Sequence, residues 1–95
     1  MYKVKILTLA RADLKEIRTY LSDFGDVPKI KFRKSFDKFA GNVTNTPFMY
    51  PEYADNTKYR VAVIEYGYLV FYTVVDNAVG IARVLSDKRN VQDII

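Results

Sequence analysis

The chain has 95 residues, 49% of them hydrophobic and 27% charged, a composition that sustains one folded core and argues against a disordered segment. It contains no Cys and no His, which excludes disulfide scaffolds, thiolate chemistry, His/Cys zinc sites and Ser-His-Asp triads. Fifteen Lys/Arg against eleven Asp/Glu leave a net charge of +4, a mild bias towards an acidic partner such as nucleic acid or an acidic protein. No apolar run approaches the roughly 18–20 residues that span a bilayer. Met1 to Ile6 lacks the continuous apolar stretch of a secretion signal. The expectation is one cytoplasmic domain over residues 1–95, with no metal, no small-molecule cofactor and no membrane contact.

Residues 2–7 alternate. Tyr2, Val4 and Ile6 point one way and Lys3 and Lys5 the other, the period of a strand. Leu7 interrupts the polar face and predicts a strand end covered on both sides. Thr8 can serve as an N-cap for a helix whose apolar stripe is Leu14, Ile17, Leu21 and Phe24, at spacings of three and four. Asp13, Lys15, Glu16 and Arg18 fill the solvent side, and Gly25 suits the C′ position. Asp26 reads as the N-cap of a second helix, with Pro28 in its first turn, where the missing N–H costs nothing. Phe32, Phe36, Phe39 and Val43 form its stripe. So short a break between helices predicts an antiparallel helical hairpin.

Residues 44–58 are rich in turn formers, including Pro47, Pro51, Asp55 and Asn56. Their apolar members Phe48, Met49, Tyr50 and Tyr53 are expected to lie against the body; Phe48, Met49 and Tyr50, with the tail from Val91 to Ile95, either cap the core or form a partner site. Tyr59 to Glu65 and Tyr68 to Val75 read as strands around a Tyr66-Gly67 turn. Asp76-Asn77 is a second turn, followed by a strand from Val79 to Leu85. The apolar run Val70 to Val75 suits a central strand covered on both faces. Val91 to Ile95 suits a short helical turn or a docking tail. The order strand, helix, helix, strand, strand, strand is that of an α+β domain, a two-helix N-terminal hairpin packed on a mostly antiparallel four-stranded sheet.

Three groups of side chains can carry function. Lys29, Lys31, Arg33, Lys34 and Lys38 fall within ten residues of the second helix and make either a phosphate-contacting surface or a solvated face of snorkelling lysines. Arg60 and Arg83 are charges inside otherwise apolar strands. Arg60 alternates with Ala62 and Ile64, and Arg83 with Val79, Ile81 and Leu85. Such an arginine is costly unless it is paired, lies at a sheet edge or lines a cleft; Glu65, Asp13 and Glu16 are the candidate partners. Lys88-Arg89 follow the last strand, with Tyr59, Tyr66, Tyr68 and Tyr72 upstream. Basic residues beside aromatic ones can hold phosphates and stack bases, although strand tyrosines are more often half-buried sheet residues. Catalysis without His would fall to Lys, Tyr, Asp or Glu, and no paired-carboxylate constellation or Gly-rich phosphate loop is present. On these residues alone a binding module is favoured over an enzyme.

Several segments, in this order and spacing, resemble the RelE/ParE superfamily of bacterial toxins. They are Ala12-Asp13-Leu14-Lys15-Glu16-Ile17-Arg18-Thr19-Tyr20, the Pro47 to Pro51 stretch, Tyr59-Arg60, Tyr68-Leu69-Val70-Phe71-Tyr72 with Val75-Asp76, and Ile81-Ala82-Arg83-Val84-Leu85 followed by Lys88-Arg89-Asn90. The resemblance implies a toxin with two N-terminal helices on an antiparallel sheet, neutralised by a cognate antitoxin. It also implies one of two activities: RelE-like cleavage of mRNA on the ribosome, or ParE-like poisoning of DNA gyrase. In the first, Arg60 and Arg83 would be catalytic, clamping the phosphate. Many members carry His or Tyr after the Arg-Val-Leu segment, whereas this chain has Ser86 and Asp87, and an unperturbed serine is no general acid. The expectation is therefore ParE-like, with Arg60, Arg83, Lys88 and Arg89 binding the target. The alternatives are a ribosome-dependent endoribonuclease and a member that only binds its antitoxin.

Overall fold

The computed structural model describes residues 1–95. In chain order the elements are β1 (Lys3–Ile6), α1 (Thr8–Ser22), α2 (Asp26–Asn45), β2 (Arg60–Val63), β3 (Tyr68–Val75) and β4 (Ala78–Ser86), with 3-10 turns at Glu65–Gly67 and Val91–Asp93. The strands form one mixed sheet in the order β1-β4-β3-β2. β1 runs parallel to β4, and the other two pairings are antiparallel. This is the α+β architecture expected from the order of the elements.

Both helices lie on one face of the sheet. Ala10, Ile17 and Leu21 of α1 and Phe32, Phe36, Phe39 and Val43 of α2 pack against Ala62, Val70, Tyr72, Val79, Ile81 and Val84. The four residues of the α2 stripe are all buried. A smaller core sits on the opposite face, where Phe71 and Leu85 are covered by Val91 of the C-terminal turn and by Tyr53 and Tyr59 of the connector. The first half of β3 is thus covered on both faces, but Val75 at its end is 64% exposed. The edge strand β1 turns Lys3 and Lys5 to solvent, which discourages pairing with another chain.

The helix boundaries differ from expectation. β1 runs into α1 with only Leu7 between them. Leu7 keeps extended dihedrals, so Thr8 is already helical and no side chain caps the helix. Leu7 is 44% exposed rather than covered; its side chain lies over Gly80 of the sheet. α1 ends at Asp23, so Phe24 falls in the turn and is 62% exposed. Gly25, with φ +97°, is the N-cap of α2, because only a left-handed residue reverses the chain so tightly. Asp26 is consequently the first helical residue and pairs with Lys29 at 3.9 Å.

The alternation within β4 is also broken. Phe71 lies opposite Arg83 and Tyr72 opposite Ile81, so Ala82 is an extra residue. This bulge brings Ile81 and Val84 to the helix face, sends Leu85 to the other, and takes Arg83 out of line with Val79 and Ile81.

Candidate functional site

Asp13 organises one end of the molecule. β1 pairs with β4 only as far as Ile6 and Ile81, so the outer edge of β4 has no strand neighbour beyond that point. The Asp13 carboxylate takes that place from α1. Its Oδ2 accepts the Val84 N–H at 3.0 Å and Arg83 Nε at 2.8 Å, and its Oδ1 accepts Arg83 Nη2 at 3.0 Å. The Asp13 side chain is 9% exposed and that of Arg83 20%. Asp13 is therefore part of the core rather than of the solvent side of α1. The hydrogen bond that Arg83 donates to Asp13, outweighing desolvation, and the nearby charges of Asp13 and Glu16 hold the Arg83 pKa above its ordinary value.

Arg60 is bound elsewhere. Its Nη1 donates to the carbonyls of Tyr50 at 2.7 Å and Phe48 at 3.3 Å, and its guanidinium lies 5.0 Å from the Phe48 ring centroid. The two strand arginines do not meet in one cleft. Arg83 ties α1 to the free edge of β4, and Arg60 on β2 ties the connector to the other side of the sheet.

Lys88 and Arg89 lie in the turn after β4. Both are exposed, and neither joins an ion pair. The turn is held by Ser86 Oγ, which accepts the Lys88 N–H at 3.2 Å, and it packs closely on Gly67. A Cβ at Gly67 would stand 2.8 Å from Asp87 Oδ2, and φ there is +76°, so the position requires glycine. Lys88 and Arg89 border a groove of about 530 Å³ between the helical hairpin and the ends of β3 and β4. Tyr20, Phe24 and Tyr66 also line it, each about half exposed, and Tyr20 stacks edge-on against Phe24 at 5.3 Å. Sequence reasoning placed Phe24 in the core and did not single out Tyr20. Their spacing of four residues beside a helix-ending glycine is the signal that a surface pair was possible.

On α2, Lys31, Lys34 and Lys38 are exposed and unpaired, whereas Arg33 lies 3.8 Å from Asp37. Of the strand-region tyrosines, Tyr68 and Tyr72 are buried and Tyr59 is half-buried; only Tyr66 is open to solvent. The Tyr72 hydroxyl donates to the Pro47 carbonyl at 2.7 Å. Burial raises its pKa, with the Arg60 charge partly opposing. Because the folded state holds this proton more tightly than the unfolded chain, the contribution is present below the ordinary tyrosine range and is lost as pH rises through the folded value. Thermal melts between about pH 9 and 11.5 should show stability falling above pH 10. Tyr72→Phe should flatten that fall, leaving a smaller slope from Tyr53 and Tyr68, whose pKa values burial also raises. An unchanged slope in Tyr72→Phe would refute the assignment.

A helical hairpin across a four-stranded mixed sheet, with free cations at the open end of the last strand, defines a class of small two-layer α+β domains. Within it, a family model described as the ParE toxin of the type II toxin–antitoxin system parDE matches residues 4–91. The chain belongs to this family. A structure from the chromosomal ParDE toxin–antitoxin system of P. aeruginosa shares the fold, with a TM-score of 0.75 and 16% identity over 90% of this chain and 96% of that one. No curated protein matches the chain by sequence. No helix is long and apolar enough to cross a membrane.

Proposed function

We propose that this ParE-family toxin arrests growth in the cytoplasm by binding DNA gyrase and is neutralised by a cognate antitoxin. The antitoxin reading draws support from the ParDE system of the similar structure and from the apolar surface left open at Phe48, Met49 and the hairpin tip. The observation that carries the choice of a binding mechanism is the engagement of both strand arginines. A phosphate clamp needs guanidinium forks that converge on one phosphate, whereas Arg83 spends Nε and Nη2 on Asp13, and Arg60, on another strand, spends Nη1 on the connector carbonyls. The end of β4 carries Ser86 where RelE-like members carry His or Tyr, and Ser86 Oγ serves the turn. Lys88 and Arg89 are then the contacts offered to the target, Arg83 positions the strand that presents them, and Arg60 fixes the neighbouring loop.

The test is induction in bacteria with growth and transcript integrity followed together, alongside gyrase supercoiling with purified protein. Growth arrest with intact transcripts and inhibited supercoiling is expected. Lys88→Ala/Arg89→Ala should weaken inhibition by at least about tenfold, the effect of losing roughly 1.4 kcal/mol of contact, with the fold retained. Cuts within translated codons would instead establish the endoribonuclease. An Arg83→Ala protein that stays folded and fully toxic would remove Arg83 from the assignment.

A further inference from the structure

We infer that the outer face of the helical hairpin, turned away from the sheet, is a contact surface for the phosphate backbone of duplex DNA. It is built on Lys31, Lys34 and Lys38 of α2 and on Lys15 and Arg18 of α1. The choice of DNA over RNA rests on the gyrase reading; the contact with a polyanion is read from the hairpin itself.

Helix geometry gathers these cations. At 3.6 residues per turn, Lys31, Lys34 and Lys38 fall on the side of α2 opposite the buried Phe32, Phe36, Phe39 and Val43, along a line of about 10 Å. Lys15 and Arg18 take the corresponding side of α1. All five are exposed, and none joins an ion pair. Arg18 borders a cleft along the helix seam together with Lys29 and Arg33, which joins the two sets into one surface. The acidic residues lie elsewhere or are paired. Asp13 and Glu16 line the groove on the other side of the hairpin, and Asp23 caps the end of α1 at the tip. Asp26 and Asp37 stand 3.9 Å from Lys29 and 3.8 Å from Arg33. Glu65, whose backbone N–H donates to Ser35 Oγ on the flank of α2, is the remaining carboxylate nearby, and it leaves the five cations in excess.

The composition of the face selects a polyanion over a protein. Protein interfaces are poor in Lys and gather aromatic rings, Met and Arg at their centres. No aromatic ring stands among these five cations, and the exposed apolar residues beside them are Val27 and Ile30, towards the tip. Separate ammonium charges on flexible stems suit a phosphate backbone, where affinity comes from counterion release rather than from a fitted pocket. Gly41 continues the line about one turn beyond Lys38. Glycine weakens a helix, and a Cβ at Gly41 would meet nothing within 4 Å, so packing does not require it. The bare backbone there leaves a phosphate room to approach.

The experiment is fluorescence anisotropy of the purified protein with a labelled DNA duplex of mixed sequence, about 20 base pairs or two helical turns long. Salt is varied from about 50 to 200 mM. Binding should be independent of sequence and weaken steeply with salt. Lys31→Gln/Lys34→Gln/Lys38→Gln should reduce the slope of log K against log salt by about 2.7, at roughly 0.9 per phosphate contact, and Lys15→Gln/Arg18→Gln by about 1.8. Gly41→Glu should weaken binding while leaving the melting temperature unchanged or raised, because Glu is the better helix former. A merely structural role for this face would move binding and melting together. No binding by the folded protein would overturn the inference. So would binding that both sets of α1 and α2 variants retain but Lys88→Gln/Arg89→Gln loses, which would place the contact on the β4 turn. Tighter binding of an RNA duplex of the same length would overturn the assignment to DNA. Capture of poly-glutamate with no duplex bound would overturn it in favour of an acidic protein. Gyrase supercoiling is assayed in parallel. Duplex binding without inhibition would uphold the surface and remove the gyrase reading; inhibition without duplex binding would do the reverse.

Discussion

Asp13→Ala is expected to lower the stability of the fold by about 3 kcal/mol, near the low end for breaking a buried pair because Arg83 keeps some access to water. The truncation does three things together. It strands a guanidinium in a mostly buried position, it removes two charge-assisted hydrogen bonds, and it leaves the Val84 N–H without an acceptor. Asp13→Asn separates these effects. An amide oxygen can still accept the Val84 N–H, so its loss should be smaller, about 1–2 kcal/mol, and confined to the charge interaction. Removing both partners, in Asp13→Leu/Arg83→Met, should be milder than Asp13→Ala alone, since no uncompensated charge remains. Urea titration of these proteins, with the single variants Asp13→Leu and Arg83→Met added to close the cycle, gives the coupling energy. A loss below about 0.5 kcal/mol in Asp13→Ala, the scale of an ordinary surface change, would mean that the pair does not hold α1 to the sheet edge.

That pair also shows what a sequence can and cannot reveal. The elements were legible because each obeys its own period: two for β1, three and four for the α2 stripe, and β-branched and aromatic runs for β2 to β4. Asp13 was legible as a possible partner of Arg83, but not as a core residue. A carboxylate between exposed neighbours looks solvated until the missing length of β1 opens an edge that something must satisfy. The bulge at Ala82 was invisible for a different reason. One inserted residue leaves the composition of a strand unchanged while exchanging its faces, so the alternation of Val79, Ile81, Arg83 and Leu85 was real in sequence and false in space. Thr8 and Asp26 were reasonable caps by residue type. The backbone at each junction decided otherwise, because Leu7 and Gly25 hold the non-helical dihedrals that a cap needs. The exposed groove was half legible. Lys88, Arg89 and Tyr66 were marked by their chemistry, whereas Tyr20 and Phe24 were hidden by a helical stripe that runs one turn further than the helix core.

Phe39→Ala is expected to cost about 3–5 kcal/mol, a large part of the 5–15 kcal/mol that stabilises a domain of this kind. Phe39 is 1% exposed, and its ring lies 5.4 Å from those of both Tyr50 and Tyr72 and 6.2 Å from that of Phe36. It is where α2, the connector and β3 meet. Tyr50 in turn accepts a hydrogen bond from Asn42 Nδ2, and its carbonyl accepts one from Arg60. A cavity at Phe39 should therefore loosen the connector as well as the core. Phe39→Ala and Arg60→Ala should then combine less than additively, because each already releases part of the same loop. Phe24→Ala is the contrasting case: the same residue type, read from sequence as the same kind of stripe position, yet exposed in the structure. Its cost should stay within about 0.5 kcal/mol. The two variants measured side by side by chemical denaturation test the fold and the groove together. If Phe24→Ala proved as damaging as Phe39→Ala, the hairpin tip would be packed in solution, and its aromatic rings would be closed to any ligand.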